Sequence, residues 1–332
     1  MVSMHVRTVN DLNRCIAHNL GKIPPDTGHV LARSPGGLLA ASLIAGHLRR
    51  PVTLLGPMVD EVSGSTSANH RAGYRGDGRR VLLVDDVRSA HDRSSPVGRH
   101  FDDREVTRLA VYAESRGPGG PGGPRGRGQG SEDLVLEVVP SPTVFEWSLF
   151  DTPLLDRMCL DIDGVLCVDP TKEENDDGER YLRFLETGTP MFIPSQPVMA
   201  LVTNRLEKYR GPTESWLARH GIRYGSLIMM DLPDAATRTR SGAQAAHKAD
   251  AYLASGAALF VESDPRLARQ VAQLAGRRVL AFPDATVFDP TWHGAASYAF
   301  DRLKWRSRQL RRTPRTVAGR LRRSWQSRSS PP

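Results

Sequence analysis

The chain has 332 residues, 39% hydrophobic and 25% charged, the make-up of a water-soluble globular protein long enough for two domains that each bury a core. Its formal charge of +8 is concentrated: residues 302–332 hold eleven Lys or Arg and no acid, leaving a net −3 on the rest. The basicity therefore belongs to a tail that suits anionic surfaces, and gives no ground for a nucleic-acid reading of the folded part. The longest apolar stretch, GGLLAASLIAG, is far shorter than the ~20 residues a membrane span needs, and the N-terminus lacks the basic-then-apolar pattern of a signal peptide. Cys15, Cys159 and Cys167 have no metal-ligand spacing and suit a reducing compartment, so a cytoplasmic location without a membrane span is expected.

In chain order, VNDLNRCIAHNL reads as a helix, GHVLA as a strand, GGLLAASLIAGHL as a helix, and PVTLL and RRVLLVDDV as strands. TRLAVYAE and DLVLEVVPSPTVFEW read as further strands of the same sheet, with RGPGGPGGPRGRGQG, residues 116–130, as a hydrated loop between them. The junction between domains is expected within SLFDTP, giving one domain over 1–150, a second over 151–300 and a disordered or helical basic tail over 301–332. Residues 158–282 repeat the alternation through MCLDID, VMALVTN, TESWLARHG, YGSLIMMDL, AHKADAYLASG, AALFVES, PRLARQVAQLAG and RRVLAF. This predicts an α/β protein of two doubly wound domains with mainly parallel sheets, whose ligands sit beyond the carboxyl ends of the strands. No internal repeat is visible.

Some polar stretches read as ordinary surface. The acidic KEENDDGERY, residues 172–181, is expected to be a solvated loop, and Arg205, Lys208 and Arg210 the outer face of a helix in preference to contacts for substrate anions. His91, His247 and His293 lack the spacing of a metal site. Trp305 and Trp325 interleave with arginines in the tail, a pattern that fits a solvated extension better than an interfacial helix or a phosphate-backbone contact.

Four strand or helix ends in the second half carry chemistry. In CLDIDGVLCVDP, Asp161 and Asp163 are two apart and so point to one side of a strand end. Carboxylates at such range repel unless a cation or a shared proton intervenes, and an oxygen-rich site favours Mg²⁺. Gly164 lets the chain turn off the strand. MALVTNR ends in Thr203 and Asn204, a hydroxyl and an amide able to hold phosphoryl oxygens; AHKADAYL offers the Lys248 ammonium; ALFVESDP ends in Glu262, Ser263 and Asp264. Taken in order, these residues resemble the haloacid-dehalogenase-like (HAD) superfamily of phosphatases across residues 156–283. The resemblance implies Asp161 as the nucleophile that forms an aspartyl-phosphate and Asp163 as general acid and base. It implies Thr203 and Lys248 as phosphate ligands, and Asp161, Asp163, Glu262 and Asp264 as metal acids. The family's last motif often has two adjacent acids; here Ser263 separates Glu262 from Asp264, and Glu262 is the preferred metal acid.

In the first half, RRVLLVDDVRSAHD places Asp85 and Asp86 after an apolar strand, where two acids can accept from the hydroxyls of a ribose while the next turn offers N–H groups to a phosphate. This resembles the 5-phosphoribosyl-1-pyrophosphate (PRPP) motif of type I phosphoribosyltransferases over residues 10–147, with Ser89 in the phosphate loop and Ser34, Gly36 and Gly37 in an early pyrophosphate loop. Ala90 stands where glycine is typical and Asp92 brings a negative charge towards an anion, both departures from the pattern. The whole chain resembles a recurrent bacterial fusion of the two families. That implies a Mg²⁺-dependent phosphatase acting on a small phosphorylated metabolite, a nucleotide or sugar phosphate, joined to a PRPP-binding domain. Two alternatives stay open: a PRPP-dependent orotate- or purine-type transferase with an accessory second domain, and a non-enzymatic nucleotide sensor with a docking tail. The transferase resemblance also suggests a homodimer.

Overall fold

The computed structural model describes residues 4–32, 34–55, 80–88, 105–115 and 133–290, which divide between Thr152 and Pro153 into two compact units. Ser89, His91, the glycine-rich stretch 116–130, His293 and the basic tail with Trp305 and Trp325 lie outside the described residues. Among the described residues no helix is long and apolar enough to cross a membrane.

The first unit runs β1 (His5–Arg7), α1 (Val9–Asn19), β2 (Thr27–Ala32), α2 (Pro35–Leu48), β3 (Val52–Leu54), β4 (Arg80–Val87), β5 (Glu105–Ser115), β6 (Asp133–Pro140) and β7 (Thr143–Phe145). Five strands form a parallel sheet in the order β3-β2-β4-β5-β6, and β1 pairs with β7 separately, also in parallel. The helices start where the sequence supplies caps. Thr8 and Asp11 form a reciprocal capping box for α1, and Ser34 caps α2 ahead of Pro35. Leu12, Ile16 and Ile44 pack on Val30, Leu82, Val84 and Val111 to make the core. Strand order reverses between β2 and β4, the place where open α/β sheets bind ligands. Strand β4 does not stop before the acidic pair: Asp85 pairs with Ala110 and Val87 with Tyr112, so the ladder to β5 carries the backbone through both acids.

The second unit runs β8 (Met158–Leu160), α3 (Glu179–Thr187), β9 (Val198–Leu206), α4 (Arg210–Arg219), β10 (Tyr224–Met230), α5 (Ala235–Ser241), α6 (Gln244–Ser255), β11 (Leu259–Glu262), α7 (Pro265–Ala275), β12 (Val279–Ala281) and β13 (Thr286–Phe288). Its sheet order is β10-β9-β8-β11-β12-β13, parallel except for β13 against β12. The central strands β8 and β11 are buried along their whole length, as apolar runs covered on both faces should be. Order reverses between them, so their carboxyl ends face one crevice.

Two surface expectations are corrected. Strand β9 continues past Asn204 to Leu206, which puts Arg205 in the sheet at 2% exposure instead of on a helix face. The stretch 172–181 is more than a solvated loop, because α3 begins at Glu179 and Tyr181 is buried. Within it Asp177 accepts hydrogen bonds from the Tyr209 hydroxyl (2.8 Å) and the Ala235 amide (3.0 Å), and pairs with Lys208 Nζ at 2.9 Å. Lys208 is thereby a tether for this loop, while Arg210, half-exposed between Glu207 and Glu214, keeps the surface role expected of it.

Candidate active site

At the reversal point of the second sheet a lysine joins two strand ends. Lys248 lies on α6, is 1% exposed, and its Nζ donates to Asp161 Oδ2 after β8 and to Glu262 Oε2 at the end of β11, both at 2.5 Å. The remaining oxygens are held by backbone: Ile162 N–H donates to Asp161 Oδ1 (2.8 Å), and the Ser263 and Asp264 amides donate to Glu262 Oε1 (3.0 and 3.1 Å). Burial pushes the Asp161 carboxyl well above its ordinary range; Lys248 opposes this, and the charges of Glu262 and Asp163 reinforce it. Burial alone would lower the Lys248 pKa, yet Asp161 and Glu262 together outweigh it and raise it, so the ammonium stays charged. Two buried acids thus share one cation.

The chain turns sharply after Asp161. Gly164, at φ +73°, leaves no room for a side chain, since a Cβ there would lie 2.5 Å from the Ser263 Cβ and 2.9 Å from Asp169 Oδ2. Ser263 Oγ donates to the Asp163 carbonyl at 3.0 Å and ties this turn to the end of β11. The two side-chain oxygens of Asp163 face the guanidinium of Arg205, with Nη2 at 2.6 Å. Sequence reasoning missed Arg205. The available signal was the period of two that put Asp161 beside Asp163, which applied along β9 sets Arg205 on the side of Thr203. Asp169, also missed, has its carboxyl raised by burial and by the charges of Asp163 and Glu262.

The other expected residues take separate positions. Thr203 is buried, and its hydroxyl accepts from the Arg205 amide (3.1 Å). Asn204 accepts from Arg238 through its main-chain oxygen (3.0 Å), and its Oδ1 is buried without a partner. Asp264 caps α7 by accepting from the Arg266 amide at 2.8 Å. His247, next to Lys248, places Nε2 3.1 Å from the Thr203 carbonyl.

Among the described residues no three His, Cys, Asp or Glu side chains are grouped to hold a metal ion. Magnesium, however, keeps several waters and binds through one or two carboxylates plus substrate phosphate, so it does not require such a cage. The Asp161 carboxylate and the Asp163 carbonyl are hard oxygens of one turn, the ligand type Mg²⁺ takes, and in this structure they accept from Ile162 N–H, Lys248 and Ser263.

In the first unit the start of α2 meets the end of β4 at the β2–β4 reversal. The Ser34 hydroxyl accepts from Gly37 N–H at 2.9 Å, and a Cβ on Gly36 would run into the Asp86 carboxylate. Asp86 in turn accepts from the indole of Trp147 at 2.6 Å, and Trp147 stacks with Tyr112 and packs at a tilt against Phe145. Ser34, Gly36, Gly37 and Asp86 are therefore neighbours, with Asp85 one residue back on β4.

The fold defines the class: an α/β protein with mainly parallel sheets. No family model matches the sequence, and no curated protein matches it. Among solved structures 37 chains match. A hypothetical protein from Neisseria gonorrhoeae with bound ppGpp is 14% identical at a TM-score of 0.34, covering 46% of this chain and 93% of that one. A purine phosphoribosyltransferase from Pyrococcus horikoshii Ot3 is 16% identical at 0.31, covering 44% of this chain and 94% of that one. Such scores are too low to transfer an activity.

Proposed function

We infer that the second unit is a HAD-like phosphatase acting on a small phosphorylated metabolite, a nucleotide or sugar phosphate. The observation that carries this is the buried Asp161–Lys248–Glu262 triad at the sheet's reversal point. A cation locked between two strand-end acids is costly to bury and suits charge that develops on phosphoryl oxygens. In the first step an Asp161 oxygen attacks phosphorus, the bond to the leaving oxygen breaks, and Asp163 gives that oxygen a proton. In the second, Asp163 takes a proton from water, the water oxygen attacks the aspartyl-phosphate, and the bond from phosphorus to Asp161 breaks. Splitting hydrolysis into two displacements lowers each barrier. Lys248 keeps Asp161 aimed and offsets negative charge throughout, and Thr203 and Asn204 would hold phosphoryl oxygens. A Mg²⁺ ion at Asp161 and the Asp163 carbonyl would supply further positive charge when bound.

The first unit would bind a ribose phosphate such as PRPP, a reading favoured by the meeting of α2's N-terminus with Asp85 and Asp86 at the other reversal point. The phosphatase assignment is tested by screening phosphate esters of nucleotides and sugars with and without Mg²⁺, beside Asp161→Asn. Turnover that disappears in the variant supports it; a variant as active as the native chain contradicts it.

A further inference from the structure

We propose that Arg205 is a positioning residue for proton transfer to the leaving oxygen, acting through Asp163 by fixing the direction of its carboxyl group. The inference rests on the phosphatase reading above. Arg205 stands near the end of β9, two residues after Thr203, and its own amide is held by the Thr203 hydroxyl. Two of its three guanidinium nitrogens reach one acid: Nε lies 3.2 and 3.1 Å from the two Asp163 oxygens, and Nη2 2.6 Å from Oδ1. What remains is held from behind, with Nη1 donating to Thr213 Oγ1 at 3.4 Å and Nη2 to Cys167 Sγ at 3.2 Å. The Phe184 ring centre lies 5.9 Å from Cζ.

The two ends of this pair differ in access. The Arg205 side chain is 2% exposed and that of Asp163 20%, so the acid is the more accessible member of the pair. A planar fork against a carboxylate restrains the rotation of the acid as well as its place. Proton transfer to a departing oxygen needs donor and acceptor within hydrogen-bond reach and in line as the ester P–O bond breaks, and small misplacements are expensive. A lysine in this position would keep the charge and lose the fork. A pair that served stability alone would not distinguish one substrate from another.

The test compares kcat/KM, which covers steps through leaving-group departure, for p-nitrophenyl phosphate and phenyl phosphate, using the full chain with Mg²⁺. Nitrophenolate leaves without a proton, and phenolate benefits from one. Arg205→Gln should lose about 30-fold or more on phenyl phosphate and less than about 3-fold on the nitrophenyl ester, with Arg205→Lys between it and the native chain. In an Asp163→Asn background Arg205→Gln should add no further loss. Circular dichroism checks folding, and if Arg205→Gln is unfolded the comparison rests on Arg205→Lys, which retains a buried cation. Equal losses on the two esters, or an additive loss over Asp163→Asn, overturn the proposal. A native chain inert on these esters and on the nucleotide and sugar phosphates of the screen overturns the phosphatase reading and this inference with it, whereas an active native chain with equal losses overturns this inference alone.

Discussion

At the scale of single residues, charge balance in the second unit decides what a substitution does. Replacing Lys248 by Met leaves Asp161 and Glu262 buried together with no cation between them. Breaking a buried pair in this way costs about 3–5 kcal/mol, so Lys248→Met should unfold at distinctly lower urea concentration as well as lose turnover. His247 governs a different dependence. Burial lowers its pKa to about 4; the Thr203 carbonyl opposes that shift and the Lys248 charge adds to it. The folded chain therefore prefers the neutral ring. This contribution to stability is complete above about pH 6.5 and is lost as the pH falls from there through about 4. Between about pH 7 and pH 5 the loss is about 2 kcal/mol by linkage. Urea melts at the two pH values should show it, and His247→Gln, which keeps a donor for the carbonyl, should remove most of it.

At the scale of elements, the helix starts are local and the strand ends are not. Helix α2 opens so close to β4 that a methyl group on Gly36 would displace the Asp86 carboxylate from the Trp147 indole. Gly36→Ala should cost about 1–3 kcal/mol and change the tryptophan fluorescence of the folded chain; unchanged stability and emission would contradict this packing. The runs VNDLNRCIAHNL, GGLLAASLIAGHL and PRLARQVAQLAG are local patterns, which is why α1, α2 and α7 were legible in advance, and the caps at Thr8, Ser34 and Asp264 fix where they start. The end of β9 was not. An arginine after Thr-Asn reads as solvated, and its burial depends on Asp163, 42 positions away, for a counter-charge. Asp177 escaped notice for the same reason, since its partners Tyr209 and Ala235 are distant in sequence.

At the scale of the molecule, alternation of helix and strand signals was enough to expect parallel sheets, whereas the strand orders that create two reversal points depend on pairings that periodicity does not encode. Asp161, Lys248 and Glu262 were legible as a constellation, and their meeting through one ammonium follows from those orders. Each unit has its own core, so we expect residues 153–332 made alone to keep phosphatase activity, and residues 1–152 made alone to be stabilised against heat by PRPP. A fragment 153–332 that folds but is inert, beside an active full chain, would contradict that division of labour. The most direct test of the account is acid quenching of the full chain during turnover of a ³²P-labelled phosphate ester, followed by mapping of the label. The account predicts label on Asp161, chased off by unlabelled ester and missing from Asp161→Asn; turnover with no labelled protein, or label retained in that variant, would contradict it.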